Sequence, residues 1–264
     1  MTACNECNDP VDVVIRSSDG QLHGTHSKNL EMYSGGFPPA SLADPDQINT
    51  IELTETSEII TLMLGYVHNQ RYPESDKIEF EVFKQLAEAV EKYQIYAAME
   101  ACRLHMKHAA PLHSLDALAW ATRHDYMEIA DLAAPQTLGL TLEKVKPVIG
   151  PAIVSWISFR EPYIQAVQEI PKNLPKFPHH IGTGPCQWTS YSPLPILSIL
   201  SELADNLQRM LTINIWGKEK VRSASNKCNY CGTSPIDVWL DQLAEKTKSF
   251  PTFSAAHHGG NTGA

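Results

Sequence analysis

Hydrophobic and polar positions follow two different periods along this chain. Residues 11–16, Val-Asp-Val-Val-Ile-Arg, are dense in β-branched side chains and close on Ser17-Ser18-Asp19-Gly20, which predicts a strand and a tight turn. Residues 21–25 then return as its hairpin partner. Leu30, Tyr33 and Phe37 fall on one face of a short helix that Gly35-Gly36 and Pro38-Pro39 would end. Residues 38–50 read as loop, and Ile51-Glu52-Leu53 as a short strand. Beyond it the period becomes helical. Ile59, Ile60, Met63, Leu64 and Val67 form one stripe, ending near His68-Asn69; Phe80, Phe83, Leu86, Ala87, Val90 and Tyr93 form a second; Ile95, Met99, Cys102 and Met106 form a third. Cys102 therefore faces a core and reads as a small buried hydrophobe.

The second half of the chain is helical in pattern throughout. Pro111 opens it; Leu115, Leu118, Ala119 and Thr122 mark one helix, and Ile129, Leu132 and Ala133 another. Residues 138–149 mark a third, closed by Gly150-Pro151. Residues 171–195 hold six prolines and two glycines with little periodicity, the composition of a linker. A single amphipathic helix is expected through Ile196, Ile199, Leu200, Leu203, Leu207, Met210 and Leu211, with residues 112–170 as its cover. A last helix starts at Ser234-Pro235, where a capping hydroxyl precedes a proline suited to the first helical position, and buries Trp239, Leu240 and Leu243. Residues 1–9 and 254–264, the latter including His257-His258, are expected to be disordered tails.

Composition narrows the function classes. An apolar fraction of 43% and a charged fraction of 19% belong to a chain with a real core. No apolar run approaches the roughly 18 residues that cross a bilayer, and no basic start precedes an apolar stretch, so the expected setting is cytosol or nucleus without secretion. The net charge is −9, which disfavours phosphate backbones as partners. The charge is uneven. Residues 10–108 carry 8 Lys and Arg against 15 Asp and Glu, whereas residues 172–253 carry 9 against 6, too slight an excess for a nucleic-acid footprint. Among the six cysteines two pairs stand at C-x-x-C spacing, Cys4/Cys7 and Cys228/Cys231, and in a reducing compartment that spacing points to metal or redox chemistry before disulfides.

The order strand, hairpin strand, short helix, strand, helix pair resembles the BTB/POZ family, and individual residues match as well as the pattern. Asp12-Val13-Val14-Ile15 is similar to the family's first strand. His26, Leu30, Ser34 and Phe37 carry its spaced His, Leu, Ser and Phe, and Ile51-Glu52-Leu53 its next strand. The segments 63–68 and Gln70-Arg71-Tyr72 match the helix end and turn that follow. Residues 86–95 match its alanine-rich helix running into Lys92-Tyr93, with Cys102 beyond. Residues 112–140 resemble the helical (BACK-like) extension found after this unit in many fungal members. The chain departs from the family where Ser27 stands between His26 and Lys28, and where Pro38-Pro39-Ala40 replaces an apolar helix end. The resemblance implies an α/β (α+β) fold for residues 10–108, a small mixed sheet capped by helices, then helices over 111–170; the helical segment over 196–253 is expected from apolar spacing alone. The resemblance further implies a non-catalytic interaction module that self-associates, as a homodimer, or recruits partner proteins. Among those partners the family suggests a cullin-type ubiquitin-ligase scaffold; Leu42 and Asp44 are the candidate contacts. A transcription-associated regulator assembled through this unit is the other reading.

No phosphate loop, dinucleotide fingerprint, nucleophile elbow or metalloprotease helix is present, so no catalytic residue is assigned. His26 reads as a buried histidine satisfied by backbone, and Ser34 as a short-range helix hydrogen-bonder. Cys228 and Cys231, in Cys-Asn-Tyr-Cys-Gly, suit half of a structural zinc site; Cys186, His179, His180 and the Cys4/Cys7 pair are the candidates for the other half. That makes a metal-stabilised scaffold the alternative function. A cysteine enzyme pairing Cys186 with His179 or His180 is the third reading, and no other cofactor is expected.

Overall fold

Three consecutive residues of the first strand, Val13, Val14 and Ile15, are buried, so both faces of that strand are covered. It is β1 (Val13–Arg16), the middle of a three-stranded mixed sheet ordered β2-β1-β3. β2 (Leu22–Thr25) runs antiparallel to it with Ile15 opposite His23, and β3 (Asn49–Glu52) runs parallel with Ile15 opposite Ile51. The hairpin closes because Gly20 takes φ +83° at no steric cost, with its amide on the Ser17 carbonyl at 2.9 Å. The parallel pair cannot be joined by a tight turn. Its crossover carries α1 (Ser27–Tyr33) and a 3-10 turn at Ala40–Leu42. The computed structural model describes residues 10–42, 48–74, 77–172, 194–223 and 234–259. The chain divides into two compact units, Met1–Ala109 and Ala110–Ala264.

In the first unit α2 (Ser57–Leu64), α3 (Phe80–Lys92) and α4 (Tyr96–Ala109) bury the stripes read from the sequence, among them Ile60, Met63, Phe83, Val90, Cys102 and Met106. Two carboxylates beside β1 tie the sheet to these helices. Asp12 accepts the Ser27 amide at 2.8 Å and the Ser27 hydroxyl at 2.5 Å, at the start of α1. Asp19 accepts the Ser57 amide at 3.0 Å, at the start of α2. Each satisfies an amide that no helical carbonyl can reach and places negative charge where the helix dipole favours it. α3 and α4 would continue as one helix but for Gln94, whose φ of +50° turns the chain back. The turn receives the end of α1: Ser34 bridges Ile95, and the Gly35 and Gly36 amides donate to Gln94 and Tyr93, both at 3.0 Å. A Cβ on Gly36 would lie 2.6 Å from the Tyr93 backbone, so only glycine fits this approach.

Among its described residues the second unit is helical: α5 (Ser114–Arg123), α6 (Met127–Ala133), α7 (Leu142–Ile149), α8 (Ile153–Glu169), α9 (Leu194–Asp205), α10 (Ile213–Ser223), α11 (Ser234–Lys248) and α12 (Phe253–Gly259). Trp120, Trp156 and Phe253 are fully buried in it. The Trp156 indole N–H donates to Thr137 Oγ1 at 2.8 Å, and that hydroxyl donates to the Ala134 carbonyl at 2.7 Å, so the buried polar atoms close on one another. None of the described helices is long and apolar enough to cross a membrane.

Two expectations need correction here. The single helix foreseen through residues 196–211 breaks at Asn206, which is extended (φ −147°, ψ 98°) and whose side chain accepts the Gln208 amide at 3.0 Å; a 3-10 stretch, Leu207–Thr212, and then α10 follow. The apolar spacing survives the break, and the stripe does pack on α8 and on the 3-10 turn Ala134–Thr137. Nor are all of residues 254–264 a disordered tail, since 253–259 form α12. Phe253 is fully buried against Phe159, and Asp131 accepts the Ser254 amide at 2.7 Å and its hydroxyl at 2.6 Å. Residues 1–9 and 171–195 lie outside the described residues except for Pro171, Lys172, Leu194 and Pro195.

Gly36→Ala should destabilise the protein by about 1–3 kcal/mol, because the added methyl meets backbone that cannot yield cheaply. Urea unfolding followed by far-ultraviolet circular dichroism measures this, and an unchanged midpoint would contradict the close approach.

Candidate functional site

Most residues singled out for chemistry fall where no geometry is described. Cys228, Cys231, Cys186, His179, His180, Cys4, Cys7, Asp44 and the Leu42 side chain lie outside the described residues. Among the described residues no three His, Cys, Asp or Glu side chains gather as metal ligands would. Cys102 lies in the core, where burial pushes its thiol up to about 12, so it holds no thiolate at neutral pH.

Three histidines are buried in the first unit, His23, His26 and His68. His26 Nδ1 pairs with the Pro10 carbonyl at 2.9 Å, as expected of a histidine satisfied by backbone, and its ring meets that of His68 edge-on at 5.4 Å. His68 Nε2 pairs with Thr25 Oγ1 at 3.3 Å. His23 Nε2 lies 3.1 Å from Ser57 Oγ, a distance suited to a base and its nucleophile. The surroundings do not suit that use. His23 is only 3% exposed, and the Asp19 carboxylate that might orient it is bonded to Ser17 and the Ser57 amide instead. Burial holds His23 and His68 below the ordinary imidazole value of 6.5, and His26 adds to that for His68. Burial opposes the charged form of Asp12, but the two bonds from Ser27 outweigh it and its carboxyl lies below the usual range. Ser34 donates to the Leu30 carbonyl at 2.5 Å, the short-range role read from the sequence.

A different feature of this unit was not legible beforehand. The shared helix face expected of Leu30, Tyr33 and Phe37 is not formed, because α1 ends at Tyr33 and Phe37 lies beyond it, stacked on Tyr93 at 5.1 Å; of the three only Leu30 is buried. Met32 is 67% exposed, and Tyr33 and Tyr96 are exposed as well. The Ser34–Ile95 bridge sets the end of α1 against the start of α4, so these three side chains flank one backbone junction. No protein-family model, curated protein or solved structure matches the chain. The geometry therefore stands by itself: a closed polar interior, and apolar side chains left in water beside a rigid junction. The sequence signal was present in Met32, which falls off the Leu30 face, but an exposed methionine has no motif.

The buried imidazoles give the first unit an acid sensitivity of definite sign. An unfolded histidine takes up a proton near 6.5, whereas His23 and His68 resist it in the fold; the unfolded chain thus binds more protons below 6.5, and stability falls as pH drops through that window. Between about pH 7.5 and about pH 5 the urea midpoint should decline, and the double variant His23→Gln/His68→Gln should flatten the decline. A wild-type midpoint that stays level over this range would contradict the assignment.

Proposed function

We propose that residues 10–108 form a BTB/POZ-type interaction module that acts by self-association, with recruitment of other proteins as its purpose, and that it performs no reaction. The reading rests on the likeness of His26, Leu30, Ser34, Phe37 and the Lys92-Tyr93 helix to that family, and on the order of elements β1, β2, α1, β3, α2, α3, α4. The observation that carries it is the exposed trio Met32, Tyr33 and Tyr96 beside the Ser34–Ile95 bridge. Large apolar and aromatic side chains held in water by rigid backbone are what a protein interface uses as anchors, because they lose little conformational entropy on docking. The buried histidines support the same reading from the other side, since their polar atoms are engaged within the fold. Residues 42–44, the family's loop for a cullin-type scaffold, give the adaptor role its own candidate contacts in Leu42 and Asp44.

Light scattering on the full chain over a wide concentration range should show a mass that rises to that of a dimer. Met32→Glu and Tyr96→Glu, each at an exposed position and so harmless to the core, should raise the dissociation constant about tenfold or more. A constant monomer mass for the wild type, or variants that dimerise as tightly as it does, would remove the self-association reading.

A further inference from the structure

Ser155 and His257 stand 102 positions apart in the chain, yet Ser155 Oγ lies 2.9 Å from His257 Nδ1. The contact forms because α12 packs along α8, with Phe253 against Phe159 and the Ser254 amide and hydroxyl on Asp131. Both side chains are half-buried, so a reagent in water reaches them, unlike the buried His23 beside Ser57. Two rings orient the imidazole, Phe253 stacked at 5.9 Å and His258 edge-on at 5.7 Å. Among the described residues His257 Nε2 has no hydrogen-bond partner, and Ser155 Oγ has none besides His257. No described group therefore pins the proton to Nδ1, which accepts from the Ser155 hydroxyl. The pair opens on a cleft of about 580 Å³, within the range of about 300–1,000 Å³ typical of small-molecule sites. Ala119, Pro147, Val148 and Val154 give it aliphatic walls. Val154 is 65% exposed, so apolar surface faces water inside a concavity.

We infer that the second unit cleaves small aliphatic acyl esters of good leaving groups, with Ser155 as nucleophile and His257 as general base. A serine hydroxyl is a weak nucleophile by itself and needs a base within hydrogen-bond reach, which the 2.9 Å contact supplies. In the first step Ser155 Oγ bonds to the ester carbonyl carbon, its proton passes to His257 Nδ1, and the bond from that carbon to the leaving oxygen breaks. The alcohol departs with the proton from His257. In the second step His257 takes a proton from water, whose oxygen bonds to the acyl carbon as the bond to Ser155 Oγ breaks. The serine regains its proton and the acid leaves, so ester and water give acid and alcohol. With no described carboxylate behind Nε2 the base is weaker than in a Ser-His-Asp triad, which is why the leaving group must be a good one. The acyl chain lies against Val148 and Val154, where each buried methylene adds about 0.8 kcal/mol to binding. Arg123 also lines the cleft, but it is already engaged in the fold and the reaction asks nothing of it. The site belongs to the second unit and is independent of the self-association proposed for the first.

The test uses the full chain with p-nitrophenyl acetate, p-nitrophenyl butyrate and a fluorophosphonate, from which a nucleophilic serine displaces fluoride to leave a stable phosphonyl ester. Butyrate hydrolysis should saturate with substrate, with kcat/KM at least about threefold above that for acetate. Ser155→Ala and His257→Gln should each lower kcat/KM at least about tenfold, and the double variant no further, because the two groups act as a unit. Peptide mass mapping should place the phosphonyl adduct on Ser155. If either variant lowers the melting temperature, the wild-type adduct decides the matter alone. Hydrolysis that does not saturate, that shows no preference for butyrate or that survives Ser155→Ala unchanged would overturn the inference, as would an adduct absent from Ser155.

Discussion

Strand β1 gives one hydrogen-bonding edge to β2 and the other to β3, and the aspartates on either side of it reach on to the first turns of α1 and α2. Four elements are thereby set relative to four residues. The parallel partner comes from beyond α1, so the crossover must pass α1 over the sheet before β3 can pair. Asp12 then fixes where α1 starts, and the Ser34–Ile95 bridge fixes where it ends. A charge-assisted cap of this sort contributes on the order of 1 kcal/mol. That is small beside the burial of Val13, Val14 and Ile15, but it is directional, which burial is not. The exposure of Met32 and Tyr33 follows from it: with Leu30 facing the core and both ends of α1 held, the rest of that short helix has nowhere to turn but outward.

The second unit is organised by a different means. Trp120, Trp156 and Phe253 are large and fully buried, and burying Trp156 leaves an indole N–H that must be met from inside. Thr137 meets the Trp156 indole, and Asn206 supplies the cap that lets the chain leave one helix and enter a 3-10 stretch. Asn206 also sits where a side chain on Gly139 would have to be, so the break and the glycine imply each other. The same logic anchors α12. One apolar residue and one carboxylate, Phe253 and Asp131, hold a segment whose remaining residues are small or polar, and in doing so bring His257 to Ser155.

What could be read from the sequence was whatever repeats at a fixed period. The strand at 13–16, the stripes ending in Tyr93 and Met106 and the start of α11 at Ser234 all announce themselves by spacing or by a cap. The mostly helical remainder follows from the same reading, whereas the mixed character of the sheet was expected only from the family resemblance. What could not be read depends on pairs far apart in the chain. A break at Asn206 leaves the apolar spacing intact on both sides, so periodicity sees one helix. α12 rests on an aspartate more than a hundred residues earlier, and the cleft on a serine and a histidine 102 positions apart. The exposure of Tyr33 is likewise decided by a helix that follows much later. The cysteine and loop motifs behaved oppositely: clear as strings, they lie outside the described residues.

The parallel pairing of β3 with β1 is the claim from which the first unit's arrangement follows, and residue-resolved amide hydrogen exchange tests it directly. The Asn49 amide donates to the Asp12 carbonyl at 3.1 Å and the Leu53 amide to the Arg16 carbonyl at 2.9 Å. Both should exchange slowly, in step with the amides of the β1–β2 hairpin, because opening either partner exposes all three strands. Fast exchange at Asn49 and Leu53 beside a protected hairpin would mean that β3 does not lie against β1, and the placement of α1 argued from it would fall.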